Sequence, residues 1–306
     1  MTIGCVDRVM GDRPLMIKEL LLLLLLATLW GSSYTFIKIG VETIPPVTLI
    51  AVRTLIAGSI LLLVMRWQGI SMPRDPIVWR QFMFQAVMNS AVPFTLVAWG
   101  EKSVDAGLAA ILNSTTPIFT FLLTALITRH EPVTWRKLLG VVLGLAGICL
   151  IIGVEALDGL GDQLLAQIAI VAATVSYAGA AIYGKNFKGL HPMQPAAGSM
   201  LCGAVLLLPV SLVVDQPWTL TPSMPSIGAL LCLSVFSTAI AFTIYFRLMQ
   251  TLGSIGTTSQ AYLRVPIGVG LGILFLGESL SHTALIGLVC VVLAVIAMTM
   301  PARRKA

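Results

Sequence analysis

The chain has 306 residues, of which 57% are hydrophobic and 10% charged, against about 25% charged in a typical soluble domain. Its mean hydropathy of +0.95 means more apolar surface than a soluble core can bury, so the chain belongs in lipid. A soluble enzyme, a nucleic-acid binder and a disordered regulator are thereby excluded; the net charge of +6 arises in short loops between apolar runs, not on a DNA-facing patch.

A membrane helix needs about 20 largely apolar residues. Ten such runs are predicted, at 20–39, 47–65, 81–99, 106–128, 138–154, 164–184, 194–214, 226–246, 256–276 and 283–300. Leucine, valine, glycine and alanine fill them. Strand-type alternation is absent, which excludes a β-barrel. The expected fold class is an all-α integral membrane protein of ten transmembrane helices. Residues 1–16 make a tail without predicted structure, and Met16 is an alternative start. Lys18, Glu19 and the run Leu20–Leu26 look like a signal peptide. The apolar stretch continues to Ile37, however, and no small-residue cleavage site closes it. Cys149, Cys202, Cys232 and Cys290 lie inside apolar runs and Cys5 in the tail. They read as small packing residues. His130, His191 and His282 fall in loops or at helix ends without metal-ligand spacing, so no metal and no cofactor is expected.

Positive charge marks the cytoplasmic side. With the amino terminus inside, Arg8, Arg13, Lys18, Arg66, Arg74, Arg80, Arg129, Arg136, Lys137, Lys185, Lys188, Arg247, Arg303, Arg304 and Lys305 are cytoplasmic, fifteen of the nineteen Lys and Arg. Glu42, Glu101, Asp105, Glu155, Asp158, Asp162, Asp215 and Glu278 fall outside. Both termini are therefore expected in the cytoplasm.

The chain also repeats itself. GLAAILNSTTP at 107–117 aligns with GTTSQAYLRVP at 256–266, with Gly107 and Gly256, and Pro117 and Pro266, each 149 positions apart. Trp30 to Lys38 aligns with Tyr177 to Lys185, and Glu131 and Gly140 with Glu278 and Gly287, all 147 apart. The expected units are 17–154 and 162–300, with a basic tail at 301–306. Five helices per unit make the second copy inverted. The loop 129–137 carries three Arg or Lys inside, and its counterpart 277–285 carries none outside. Inverted repeats suit alternating access around one central site, the architecture of a solute carrier.

WGSSYTFIK at 30–38, Arg53, PFTLVAWGEKSVDAGLAAILNSTTPIFTFLLTAL at 93–126 and LGE at 276–278 resemble the drug/metabolite transporter superfamily, in particular its EamA-like permeases. The resemblance covers about residues 17–300. It implies a ten-helix secondary carrier of the bacterial inner membrane, often an exporter of amino acids or other small metabolites. It also implies a central site between two four-helix groups, with the fifth and tenth helices packed outside. One departure is the arginine in Leu263-Arg264-Val265-Pro266, where many relatives carry an apolar or acidic residue.

Arg264 sits roughly 12 Å from the inner edge of its helix, a costly depth for a charge. It is either a cation for a substrate carboxylate or phosphate or a clamp onto helix carbonyls. Arg53, roughly 9 Å from the outer edge, is read first as a structural or gating charge and second as a substrate contact. Lys38 is an interfacial anchor or gating charge. Pro117 and Pro266 are predicted kinks. Asn113 and Thr115 on the fourth helix, with Gln260 and Tyr262 on the ninth, are expected to line the cavity, because clustered polar groups in lipid must face protein or water. Asn89 shares one face with Gln85 and Pro93 and is assigned likewise. Trp30 and Tyr177, which are repeat mates, are candidates to shape the pocket. Gly140 and Gly144 form a GxxxG packing motif, with a dimer contact through the fifth helix as an alternative use.

The expected activity is secondary transport without catalytic residues, with a small polar metabolite, an amino acid or related carboxylate, as substrate. The rivals are a carrier of amphipathic cations or drugs and, from another class, a membrane-embedded enzyme or accessory subunit. No phosphate-cradling GxxxxGK[ST] occurs, so ATP hydrolysis is not expected. No acid lies deep in a predicted helix, which favours facilitated diffusion or exchange, with any proton coupling through a shallow carboxylate or Lys38. The expected partners are the substrate and the lipid bilayer, no nucleic acid, and at most one further copy of the chain, as a monomer or weak homodimer.

Overall fold

The computed structural model describes residues 6–100, 103, 112–128, 134–152, 163–264, 267 and 282–299. Every regular element among them is helical: α1 (Val6–Gly31), α2 (Ser33–Val41), α3 (Pro46–Trp67), α4 (Pro76–Ala86), α5 (Val92–Gly100), α6 (Thr116–Leu123), α7 (Trp135–Ile152), α8 (Leu164–Tyr183), α9 (Met193–Val214), α10 (Met224–Ser234), α11 (Ala241–Thr251), α12 (Gly253–Thr258) and α13 (His282–Thr299). Among the described residues six apolar stretches are long enough to cross a membrane: Ile17–Val41, Pro46–Trp67, Pro76–Gly100, Leu164–Phe187, Met193–Val214 and Met224–Thr251. Thr116–Thr128 and Leu285–Thr299 are shorter apolar helices. The helices expected at 106–128 and 256–276 lie partly outside the described residues, as do Pro266 and the tail 301–306, and the side chain of Lys38 is outside them too. At the amino terminus the structure differs from the sequence expectation. Helix α1 starts at Val6, inside the tail given no structure, because the leucine run supplies a nucleus from which a helix extends cheaply.

Apolar attraction between helices is weak in lipid, so close packing of small residues brings them together. The two largest helix pairs are α3 with α9 and α7 with α13. Each pairs the matching helices of the two sequence repeats, and each is antiparallel. Thr48, at the start of α3, bonds Ser211 and Asp215 at the end of α9, while Gly58 abuts Leu201. On the other pair, Gly140 lies against Met298 and Ala294, and Gly147 against Gly287. The GxxxG of α7 is thus filled within the chain: Gly140 meets α13, and Gly144 lies on the ring of Tyr262.

Three π-helical turns interrupt the bundle, at Val87–Ala91, Thr124–Thr128 and Val235–Ile240. The first has a local cause. Pro93 carries no N–H and would crowd the carbonyl four residues back, and the widened turn lets the Val92 N–H bond the Val87 carbonyl instead. In the third, the Thr238 hydroxyl donates to the Leu233 carbonyl, five residues earlier, at 2.7 Å.

Charged side chains tie the helix ends. Glu19, 6% exposed, accepts from Arg247 at 3.0 Å and from the Thr251 hydroxyl at 3.0 Å, joining α1 to α11. At the other end of the bundle Asp215 accepts from the Thr48 backbone N–H and hydroxyl, both at 2.8 Å, and so caps the first turn of α3.

Two substitutions test the packing. Gly144→Ala drives a methyl into the Tyr262 ring and is expected to cost about 1–3 kcal/mol, seen as a lower melting temperature in detergent. Gly228→Ala, where an added Cβ meets nothing within 4 Å, leaves melting unchanged or slightly raised.

Candidate functional site

A cavity of about 70 Å³ lies among the helices, room for about five waters. Trp30, Ser33 and Ile37 on α1 and α2, Arg53 on α3, and Asn89, Phe94 and Val97 of the π turn and α5 form part of its wall. Asn113, Thr116, Tyr177 on α8, Phe242 and Tyr245 on α11, and Thr258, Gln260 and Arg264 complete it. Both repeats contribute, including the mates Trp30 and Tyr177.

Arg53 is 2% exposed. Its Nε donates to the Thr238 hydroxyl at 2.6 Å and its Nη2 to the Ser237 carbonyl at 3.4 Å. The guanidinium carbon stands 4.4 Å from the centre of the Phe94 ring, a cation–π contact. The oxygens that hold it belong to the π turn of the eighth predicted helix, whose widened backbone carries carbonyls off the regular ladder. Trp30 uses the same carbonyl: its indole N–H donates to Ser237 O at 3.0 Å, and the Ser237 hydroxyl returns a bond to Leu29 O at 2.8 Å. The other repeat does something similar. Ser176, one residue before Tyr177, donates to the carbonyl of Met88 in the π turn of the third predicted helix at 2.8 Å.

Arg264 stands at the other side of an aromatic run. Its Nε donates to Gln260 Oε1 at 3.0 Å, and its guanidinium carbon lies 5.3 Å from the Trp30 ring centre. Phe242 meets Trp30 at 5.6 Å and Phe94 at 6.4 Å, edge-on to both. Two guanidiniums are therefore linked through Trp30, Phe242 and Phe94. No Asp or Glu occurs among the described residues of the wall.

Of the residues singled out from sequence, Trp30, Arg53, Asn89, Asn113, Tyr177, Gln260 and Arg264 come together in this wall. Tyr262 does not. It is fully buried, packs on Gly144 and donates its hydroxyl to the Val141 carbonyl at 3.1 Å. Thr115 turns its hydroxyl to Leu112 O at 2.6 Å and toward Thr174, and its neighbour Thr116 faces the cavity instead. Pro117 sits in the first turn of α6, directly after a break at Ser114 and Thr115, where its missing N–H costs nothing. Gln85 is buried outside the wall, since the π turn rotates it away from Asn89's bearing. Phe94, Phe242, Tyr245 and Thr258, also in the wall, were not assigned to the site from sequence. The spacing of Phe242, Tyr245 and Phe246 at i, i+3 and i+4 was a usable signal of a buried face.

Packed apolar helices around a buried polar cavity describe a polytopic membrane transporter. Residues 17–153 and 164–300 each match the EamA-like transporter family. Over 282 residues the chain is 30% identical to the uncharacterized inner membrane transporter YedA of Escherichia coli K12, covering 89% of this chain and 87% of that one. It is 24% identical to the uncharacterized transporter YoaV of Bacillus subtilis, covering 90% and 95%, and 25% identical to protein PecM of Dickeya dadantii, covering 87% of each. A crystal structure superposes with a TM-score of 0.77 at 17% identity, covering 94% of this chain and 99% of that chain, and shares the fold. The chain belongs to the EamA-like transporter family, and it is a multi-pass protein of the bacterial inner membrane.

Thr238→Val keeps the shape of the side chain but removes the acceptor for Arg53 Nε. A buried charged donor left unpaired is expected to cost about 1–3 kcal/mol, read as a fall in melting temperature that Thr238→Ser restores.

Proposed function

We propose that the chain is an exporter of small carboxylates, amino acids or related metabolites, that works by alternating access of ten helices arranged as two inverted repeats. The observation that carries the reading is the pair Arg53 and Arg264 in one cavity wall whose described residues include no acid. A planar guanidinium grips a carboxylate through two parallel N–H bonds. A cation or drug carrier would need the opposite charge at this place. The antiparallel packing of repeat mates, α3 on α9 and α7 on α13, supports inversion. The charge bias of the loops supports cytoplasmic termini.

In this reading the substrate sits against Trp30 and Tyr177, with its carboxylate on Arg264. Asn113, Asn89 and Gln260 orient it, and Arg53 links it to the π turn of the eighth helix. Lys38 acts at the outer end as a gating or anchoring charge, and Pro117 and Pro266 mark the bends about which the fourth and ninth helices move. Tyr262 and Thr115 support the wall from behind. Transport runs by exchange or facilitated diffusion. Glu19 is paired with Arg247, which favours a structural role for that acid over a proton-carrying one. The chain functions as a monomer or weak homodimer.

The test is thermal stabilisation of the purified protein in detergent across a panel of metabolites. A ligand at about a hundred times its Kd stabilises by about 2.7 kcal/mol. Carboxylates are expected to raise the melting temperature of wild type and to lose that effect in Arg264→Ala, which stays folded. Equal stabilisation of both proteins by organic cations would sink the reading. In proteoliposomes, transport is expected to persist when a pH gradient is collapsed; its loss would overturn the exchange mechanism.

A further inference from the structure

We infer that the cavity selects carboxylic acids without an amino group over the matching zwitterionic amino acids. This rests on the carboxylate reading above and narrows its substrate class.

Selectivity follows from the donors and acceptors that the wall presents. Arg53 is buried and holds two neutral oxygens, the Thr238 hydroxyl and the Ser237 carbonyl. It has no carboxylate partner among the described residues. A buried cation without a countercharge is costly, and an entering anion relieves that cost. Asn89 is 3% exposed and lines the cavity, and its Nδ2 has no hydrogen-bond partner among the described residues. An N–H donor in that position calls for an oxygen. Gln260 spends its carbonyl oxygen on Arg264 Nε. The guanidinium fixes which end of the amide faces it, so the amide offers N–H groups to whatever else it meets. Arg53, Asn89 and Gln260 thus hold N–H groups that call for oxygens, and the described residues of the wall supply no carboxylate.

An ammonium group would fare badly here. It seeks a carboxylate, and the described wall contains none. It can also rest on an aromatic face, but Phe94 and Trp30 already carry the protein's own guanidiniums at 4.4 Å and 5.3 Å, and a cation on another ring of the wall, such as Tyr177, meets those like charges across the cavity. A zwitterion thus brings one charge that the wall receives and one that it repels.

The experiment compares isosteric pairs on the full-length protein in detergent at neutral pH: lactate with alanine, malate with aspartate, and phenyllactate with phenylalanine. Apparent Kd values come from the concentration dependence of melting. Each acid that binds is expected to do so at least about tenfold more tightly than its amino counterpart. Gln260→Glu, which adds a carboxylate beside Arg264, is expected to narrow or reverse that ratio. Equal or tighter binding of the amino acids to wild type would overturn the inference and leave the carboxylate reading standing. Binding by neither member of any pair would remove both. The wild-type comparison decides the matter even if the variant does not fold.

Discussion

The bond from Arg53 Nε to the Thr238 hydroxyl, 2.6 Å long and buried, is the interaction on which the cavity depends. A guanidinium inside a membrane protein is tolerated only where every face is accounted for. Here one face lies on Phe94, two N–H groups meet oxygens of a π turn, and the remainder borders the cavity. That arrangement ties α3 to the eighth predicted helix. Trp30 adds the first helix to the same knot, because its indole shares the Ser237 carbonyl. A single unladdered turn thus holds three helices around the cavity.

The bilayer imposes the larger constraint behind this. With no water in the hydrocarbon core, each backbone group must find a protein partner or line a cavity. Serine and threonine hydroxyls obey it by folding back onto their own helices, as Thr54 does on Ile50, Thr116 on Asn113 and Thr258 on Ser254. Carbonyls released by π turns obey it by accepting bonds from neighbouring helices. Asn89, whose Nδ2 has no partner among the described residues, lines the cavity, while Gln85 is buried outside its wall. Outward, the bundle presents side chains such as Leu126, Ile127, Leu165 and Val213, each more than two-thirds exposed, which is what lipid requires.

Much of this was legible in the sequence. Apolar runs marked the helices, and the depth of Arg53 and Arg264 marked the cavity, because a charge so placed must face something polar. Trp30 and Tyr177 were found through the repeat. Four things were not legible. The π turns change helical phase by one residue, so Gln85 and Asn89, spaced for one face, part company. Tyr262 and Thr115 are polar residues that satisfied themselves locally, and sequence alone gives no sign of which hydroxyl will do so. Arg53 looked like a structural charge; its wall position and its clamp on Thr238 turn out to be two aspects of one placement. GxxxG read as close packing, with a dimer contact as an alternative use, and only tertiary packing shows that α13 and Tyr262 fill it.

The π turns also recur in register with the repeat. Val87–Ala91 and Val235–Ile240 begin 148 residues apart, within the 147 to 149 that separates the matched residues of the two halves. Only the first has a proline to explain it locally. The same irregularity thus stands at equivalent places in both sequence repeats, and each time it serves the other half: Met88 O accepts from Ser176, and Ser237 O accepts from Trp30 and Arg53. The two halves are joined through one device used twice.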